Sequence, residues 1–316
     1  MGTFSRLNFG FVSIKCCFVL YVFASFSSLF LAILVFNRAY ADAKRSPYSL
    51  YVIYQGKKYK LDLEDYIRGV VAGEIPLSWP DDALRAQAVV ARSWTIYHIL
   101  KGKKEFYASQ SDQVWLPEKN WMDFSDKVNK AVDQTRGWVL VFPSGEIAPG
   151  FFHSACGGKT ENAYEIWNSE IDPKISRYIV SVNCNKCYDS PNFFWRRKLK
   201  IKDVEKLLIK EDDPISERIS SIFSKSPEYT SSGRIRKIFF YNGFYIGYNQ
   251  IRELLRLPSN FFSFEIEGDF ILFFGKGFGH GVGMCQWGAK KLAEEGKSWK
   301  EILLFYFPLL KLKKIY

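Results

Sequence analysis

The sequence predicts an α+β fold, a single large domain in which several β-hairpins pack with a central helix pair and a C-terminal helix pair. Three observations lead there. Apolar residues recur at helical spacing between residues 62 and 98 and again near the C-terminus. Short strand-like runs bounded by glycine-containing turns recur along the rest of the chain. With 316 residues, 47% of them hydrophobic and 24% charged, the chain is long and apolar enough to bury a sizeable core.

Residues 1–41 read as a targeting segment. Arg6 and Lys15 make a basic start, Cys16–Phe36 is uncharged and mostly apolar, and Ala39-Tyr40-Ala41 matches a small-x-small cleavage site. The run is also long enough to span a bilayer, so a cleaved signal peptide and an uncleaved signal anchor both stay open, with cleavage before Asp42 preferred. Cys16 and Cys17 precede the apolar run, which leaves no lipoprotein box. Residues 42–316 are then exported, to the periplasm or the outer face of the cytoplasmic membrane, and touch the membrane only through the N-terminal segment.

Leu50–Leu61 reads as a hairpin around Gly56-Lys57. In the helix that follows, Leu63, Tyr66, Ile67, Val70 and Val71 share a face, and Gly73 stands where a helix takes its terminating glycine. The second helix has Ser78 as N-cap, Pro80 in its first turn, and Asp81 and Asp82 against the positive helix end. Ala83, Ala86, Ala88 and Ala91 keep its side small, and Arg85 and Arg92, seven apart, share a face. Glu74 lies in the junction before Ile75-Pro76, where proline enforces extended backbone. A carboxyl in a tight apolar junction is placed for a raised pKa; a solvent-exposed loop glutamate would give the same pattern.

Ser125–Thr135 predicts a short helix. Gly137–Phe142 and Glu146–His153 predict a hairpin around Pro143-Ser144-Gly145. Residues 196–230 are charged and helix-like. Arg234–Gly247 is a hairpin with an Asn242-Gly243 turn, Asn249–Leu257 a short helix, and Phe262–Phe274 a hairpin around Gly268-Asp269. Glycines crowd around His280, at 275, 277, 279, 281, 283 and 288, but without the flanking strand and βαβ unit of a dinucleotide loop. The final helix opens with Ser298 and Glu301, a capping box.

Net charge is +11, of which Arg6, Lys15 and Arg38 fall in the first 41 residues. A basic surface outside the cytoplasm suits an anionic wall polymer or lipid. No arginine-rich helix or aromatic RNA-binding signature is present, which argues against nucleic acid. An aromatic content of 17% suits a core or a sugar-binding cleft.

Three blocks carry a family resemblance: GVVAGEIPLSWPDDALRAQAVVARSW, FFHSACGGKTENAYEIW and GKGFGHGVGMCQWGAKKLAEEGKSWKEILLFYFP. They resemble, in order, the signature blocks of the stage II sporulation protein D family, which includes the amidase-enhancer proteins. The resemblance runs from about Ser46 to Pro308. It implies a cell-wall protein whose partner is the glycan strand of peptidoglycan. Sporulation members are lytic transglycosylases, and the catalytic glutamate of the family carries over to Glu74. Arg85 and Arg92 occupy the family's basic positions, and its His-Ser pair matches His153 and Ser154. In the third block Gln286 is expected to face the substrate, and His280 is read as structural or substrate-facing and not as a metal ligand. The two arginines are expected across the cleft from Glu74, holding substrate carboxylates, although their pattern alone favours an ordinary solvated or salt-bridged helix face. The alternative within the family is a non-enzymatic wall-binding activator of an N-acetylmuramoyl-L-alanine amidase.

One departure concerns metal. Some members carry a His-Cys pair before Gln-Val-aromatic, where this chain has Ser111-Asp112-Gln113-Val114-Trp115. Outside the leader its cysteines are Cys156, Cys184, Cys187 and Cys285. Cys184-x-x-Cys187 has zinc-knuckle spacing, with Cys156 beside it and Cys285 or His153 completing a structural zinc site. Two disulfides in an exported compartment fit the same residues, and both readings stay open.

Overall fold

The computed structural model describes residues 45–167, 171–208, 226–239 and 245–316. The predicted leader with its cleavage site, the Asn242-Gly243 turn and much of the 196–230 segment lie outside them. Among the described residues no helix is long and apolar enough to cross a membrane.

Strands β1 (Ser49–Tyr54) and β2 (Lys57–Asp62) form the first hairpin, Tyr54 facing Lys57. Its turn is Gln55-Gly56, one residue earlier than predicted, with both φ angles positive (49° and 74°). That backbone matches the twist of a two-residue hairpin. Asp62 caps helix α1 (Leu63–Glu74), its carboxylate accepting from the Glu64 amide at 2.8 Å. Because α1 runs on to Glu74, Gly73 lies inside its last turn and does not terminate it, and Glu74 ends the helix instead of occupying a loop.

Helix α2 (Asp81–Leu100) begins after Pro80, not after Ser78. A start at Ser78 would make Trp79 helical, and the residue before a proline is sterically driven out of that region. Strand β3 (Glu105–Tyr107) pairs parallel to β1. Helix α3 (Ser125–Gln134) follows, close to expectation, and then β4 (Trp138–Val141) and β5 (Phe152–His153). These two strands do not form the predicted ladder. Only Val141 and Ile147 bridge across the Pro143-Ser144-Gly145 turn, and β5 leaves to pair elsewhere.

Next come α4 (Ala163–Trp167), α5 (Pro173–Tyr178), β6 (Phe194–Lys200), α6 (Ile201–Leu208) and β7 (Glu228–Tyr229). The stretch from Arg196 to Lys200, predicted helix-like for its charge, is thus a strand. Strands β8 (Ile235–Phe239) and β9 (Tyr245–Gly247) pair as the expected hairpin and lead into α7 (Tyr248–Leu254). Strands β10 (Phe262–Glu267) and β11 (Phe270–Lys276) turn at Gly268, φ 56°, and β11 also pairs with β6. The chain closes with β12 (Met284–Cys285), α8 (Gln286–Glu294), α9 (Trp299–Tyr306) and β13 (Lys311–Lys314). Ser298 and Glu301 form the predicted capping box on α9. Strand β13 pairs with β4, and β12 pairs parallel with β5, setting Cys285 beside His153.

The core explains the alanines of α2. Its Leu84, Ala88 and Ala91 pack on Leu63, Tyr66, Ile67, Val70 and Val71 of α1. Its opposite side, Ala86, Val89 and Val90, packs in a second cluster with Ile302, Leu303 and Tyr306 of α9. A helix covered on both sides needs short side chains so that both neighbours can approach. A third cluster joins β6, β10 and β11 to α7.

Candidate active site

Glu74 is placed by two glycines and one amide. Gly69 and Gly73 sit on the side of α1 that meets residues 114–116, and the Leu116 amide donates to the Gly69 carbonyl at 3.1 Å. A Cβ at Gly73 would lie 2.5 Å from the Val114 carbonyl oxygen. Without that bulk the segment closes on the helix end, and the Val114 amide donates to Glu74 Oε1 at 2.6 Å. Gln286 Nε2 donates to the Glu74 carbonyl oxygen at 3.3 Å. Burial pushes the Glu74 pKa up to about 7, against the opposing pull of the Val114 and Gln286 donors. No cation contributes to that shift.

The opposite wall comes from the β5–β12 pair and the glycine-rich loop. Gly277, Gly279, Gly281 and Gly283 all have positive φ. At Gly279 a Cβ would stand 3.0 Å from His153 Cβ, so glycine there lets the loop lie against β5. Glu74, His153, Ser154, His280 and Gln286 line one cleft of about 350 Å³. Trp94, Phe151, Phe152 and Phe278 give it aromatic surface, and Asp112 and Arg252 also reach it. Asp112 is engaged by Lys103 and by the Tyr107 amide at 2.7 Å. A larger hollow of about 500 Å³, between Phe194, Arg196, Phe274 and Lys276 on the β6–β11 sheet, carries no carboxylate.

Both histidines are neutral at pH 7. Burial holds the His280 pKa down to about 4 and that of His153 well below its ordinary value. His280 accepts at Nδ1 from the Val282 amide (3.1 Å), so its Nε2–H donates to the Phe152 carbonyl (2.8 Å). His153 Nδ1–H donates to the Val282 carbonyl at 3.0 Å.

The two arginines are not in the cleft. Arg92 is fully buried and grips Glu64 with two hydrogen bonds, 2.9 and 2.7 Å, while reaching the Trp138 carbonyl at 3.2 Å. Tyr316 OH donates to the same carboxylate. Burial would raise the Glu64 pKa, but the charge and hydrogen bonds of Arg92 outweigh it and hold the group below its usual range. Arg85 bonds Gln134 at 2.8 Å and pairs with Asp82 (3.1 Å) and Asp81 (3.4 Å). The arginines do share a face of α2, as their spacing requires, but that face packs on α3 and β4.

The cysteines converge. Cys156, Cys184, Cys187 and Cys285 are buried, with all four Sγ atoms within 4.8 Å of one another. None is disulfide-bonded, and Cys156 Sγ lies 3.4 Å from Cys187 Sγ. Four thiolates about 2.3 Å from a tetrahedral zinc stand roughly 3.8 Å apart, so the set fits that ion. The fourth member is Cys285 and not His153, whose ring is turned to Val282. Cys285 Sγ also accepts from the amides of Cys156 (3.3 Å) and Gly288 (3.4 Å), which fix its position in the cluster.

Sequence reasoning missed the Val114 amide, Trp94, Asp112 and Arg252 as cleft groups. Val114 lies in the segment already singled out for its missing metal pair, a positional hint; Arg252, in an ordinary helical stretch, carries no signal.

Comparison with known proteins finds two family models that match parts of the chain. A family model described as "Stage II sporulation protein" matches residues 55–142. A second, "Domain of unknown function (DUF8618)", matches residues 160–283. An uncharacterized protein of Brachyspira hyodysenteriae is 34% identical over 254 residues, covering 78% of this chain and 66% of that protein. Stage II sporulation protein D of Bacillus subtilis is 31% identical over 264 residues, covering 78% of this chain and 73% of its own length. The amidase enhancer of Bacillus subtilis is 28% identical over 289 residues, 77% of this chain but 39% of the enhancer.

Proposed function

The chain belongs to the stage II sporulation protein D family, and we propose that it is an exported lytic transglycosylase that cuts the glycan strands of peptidoglycan with Glu74 as its acid and base. The observation that carries this reading is the carboxyl of Glu74, in an aromatic-lined cleft with a pKa of about 7 and no cation beside it. At neutral pH about half of such groups hold a proton they can donate. Glu74 protonates the glycosidic oxygen leaving C1 of a muramic acid residue. The C6 hydroxyl of the same sugar attacks C1, and its proton passes to the Glu74 carboxylate. The product is a 1,6-anhydro end, and one carboxyl serves as acid and then as base. The chemistry needs no second free carboxylate, in keeping with an Asp112 tied to Lys103.

Mass spectrometry of glycan strands after incubation tests this. Wild type releases anhydro-ended products, and Glu74→Gln, which keeps the shape but not the transferable proton, loses at least ~10²–10⁴-fold of the rate. Equal release by both ends the assignment. A second reading is motivated by the relative named amidase enhancer: a cleft that grips glycan and activates an amidase without cutting. It predicts no anhydro ends from either form and equal stimulation of an added amidase by both.

The four cysteines are proposed to hold a structural zinc. Thiolates at all four positions leave no open coordination site, so the ion supplies cohesion and not catalysis. It would tie the loop at Cys156, two residues from Ser154, and Cys285, one residue before Gln286, to the Cys184–Cys187 turn. Metal analysis should find one zinc per chain and thiols that react only after chelation. Absence of metal with freely reactive thiols would refute it.

A further inference from the structure

The arginines that the sequence marks for substrate carboxylates are committed within the protein, Arg92 to Glu64 and Arg85 to Asp81 and Asp82. The cleft nonetheless contains a cation. Among the described residues that line it, Arg252 is the one lysine or arginine. It projects from α7, which is fixed from two sides: Ile251 is fully buried, and Tyr248 OH donates to the His280 carbonyl at 3.0 Å. The Tyr248 carbonyl in turn accepts from Asn260 Nδ2 at 2.5 Å. The helix that carries the cation is thus braced against the loop that builds the wall facing Glu74.

Among the described residues Arg252 has neither an ion pair nor a side-chain hydrogen bond, although it is half-buried. A guanidinium carries five donors in a planar fork that matches a carboxylate, and here that fork is open to the cleft for a ligand to fill. The carboxylates lining the cleft do not answer it. Asp112 is held by Lys103 and the Tyr107 amide. Glu74 owes its raised pKa to burial, with no arginine acting on it. A cation close to Glu74 would defeat the proton donor, whereas a cation displaced along the cleft can hold a charge on the ligand and leave the acid alone.

We propose that Arg252 is the anion-reading residue of this cleft: it pairs with a carboxylate on the bound glycan, so that the site takes an acidic N-acetylhexosamine chain in preference to a neutral one. This rests on the glycan-cleaving reading and adds a specificity-determining group to it. The arginine stays charged at every working pH, and sugar-borne carboxylates are ionised above about pH 5. The preference therefore holds constant from pH 5 to 8, while turnover follows Glu74.

The test is calorimetric affinity for two tetrasaccharides, one of alternating N-acetylglucosamine and N-acetylmuramic acid and one of N-acetylglucosamine alone. Wild type should favour the acidic chain by ~10- to 100-fold, the range for a charge-assisted pair. Arg252→Ala should reduce that ratio to near one by weakening the acidic chain most, and a circular dichroism spectrum and melt matching wild type report that the variant is folded. Arg252→Lys should recover part of the preference. Amidating the muramic carboxylates should erase it for the wild-type protein, a form of the test that needs no variant. A preference that survives Arg252→Ala or amidation, or no preference in wild type, overturns the assignment. Product analysis of the same mixtures separates it from the parent reading. An intact Arg252-dependent preference with no anhydro ends refutes the transglycosylase and leaves the anion site standing.

Discussion

Glu64 opens helix α1 and Glu74 closes it, and the two carboxyls live under opposite rules. Glu64 is sealed from water with Arg92, so its pKa is held low and it stays ionised. Glu74 is desolvated without a cation, so its pKa rises to about 7. The pH dependences have opposite signs. Glu64 adds stability above the ordinary carboxylate pKa, and this is lost as pH falls through its lowered folded value. The stability tied to protonated Glu74 is complete below the ordinary value and is lost as pH rises toward and through about 7. Pairing with a cation holds one carboxyl ionised, and burial without a cation carries the proton of the other into the neutral range.

Breaking the pair at the structural end should give the largest effect on stability. Arg92→Ala leaves an unpaired carboxylate in the core and should cost about 3–5 kcal/mol, read as a lowered denaturant midpoint. Arg92→Met with Glu64→Leu, which removes both charges, should recover much of that loss. If Arg92→Ala instead left stability intact and weakened only glycan affinity, Arg92 would be a substrate ligand after all.

A smaller perturbation sharpens the other end. On an open helix Gly→Ala stabilises by roughly 0.5–1 kcal/mol. At Gly73 the new methyl meets the Val114 carbonyl at 2.5 Å and must push that segment away. Gly73→Ala should therefore destabilise by about 1–3 kcal/mol. It also removes the amide that donates to Glu74 Oε1, so the pKa governing cleavage should climb further, by about 1–2 units for a charge-assisted bond. A pH–rate profile and thermal melts check both. An unchanged profile with a raised melting temperature would mean that Val114 does not set the acid.

Much of this contrast was legible in the sequence, and the limits were physical. Local patterns placed α1, its buried face, the 62–98 helix pair, the hairpins at 50–61 and 262–274 and the capping box at Ser298, because each depends on neighbours a few residues away. The same periodicity put Arg85 and Arg92 on one face of α2. It gave no hint that this face meets α3 and β4, because that is a long-range packing decision. Likewise the choice between Cys285 and His153 is made by β5 pairing in parallel with β12, strands more than a hundred residues apart. The strand at Arg196–Lys200 was hidden because its charges read as a solvated helix face, whereas its place beside β11 is set by the sheet. Arg252 was unreadable for the same reason: its place in the cleft lining, and its lack of an ion pair among the described residues, show only in three dimensions.

The central claim is that Glu74 carries its proton into the neutral range. Carboxyl carbon NMR of protein labelled at glutamate Cδ, recorded from pH 3 to 9 for wild type and Glu74→Gln, observes it directly. Wild type should show one resonance titrating near pH 7 that is absent from Glu74→Gln, with every other glutamate unchanged. A Glu74 resonance that titrates below pH 5 would contradict it.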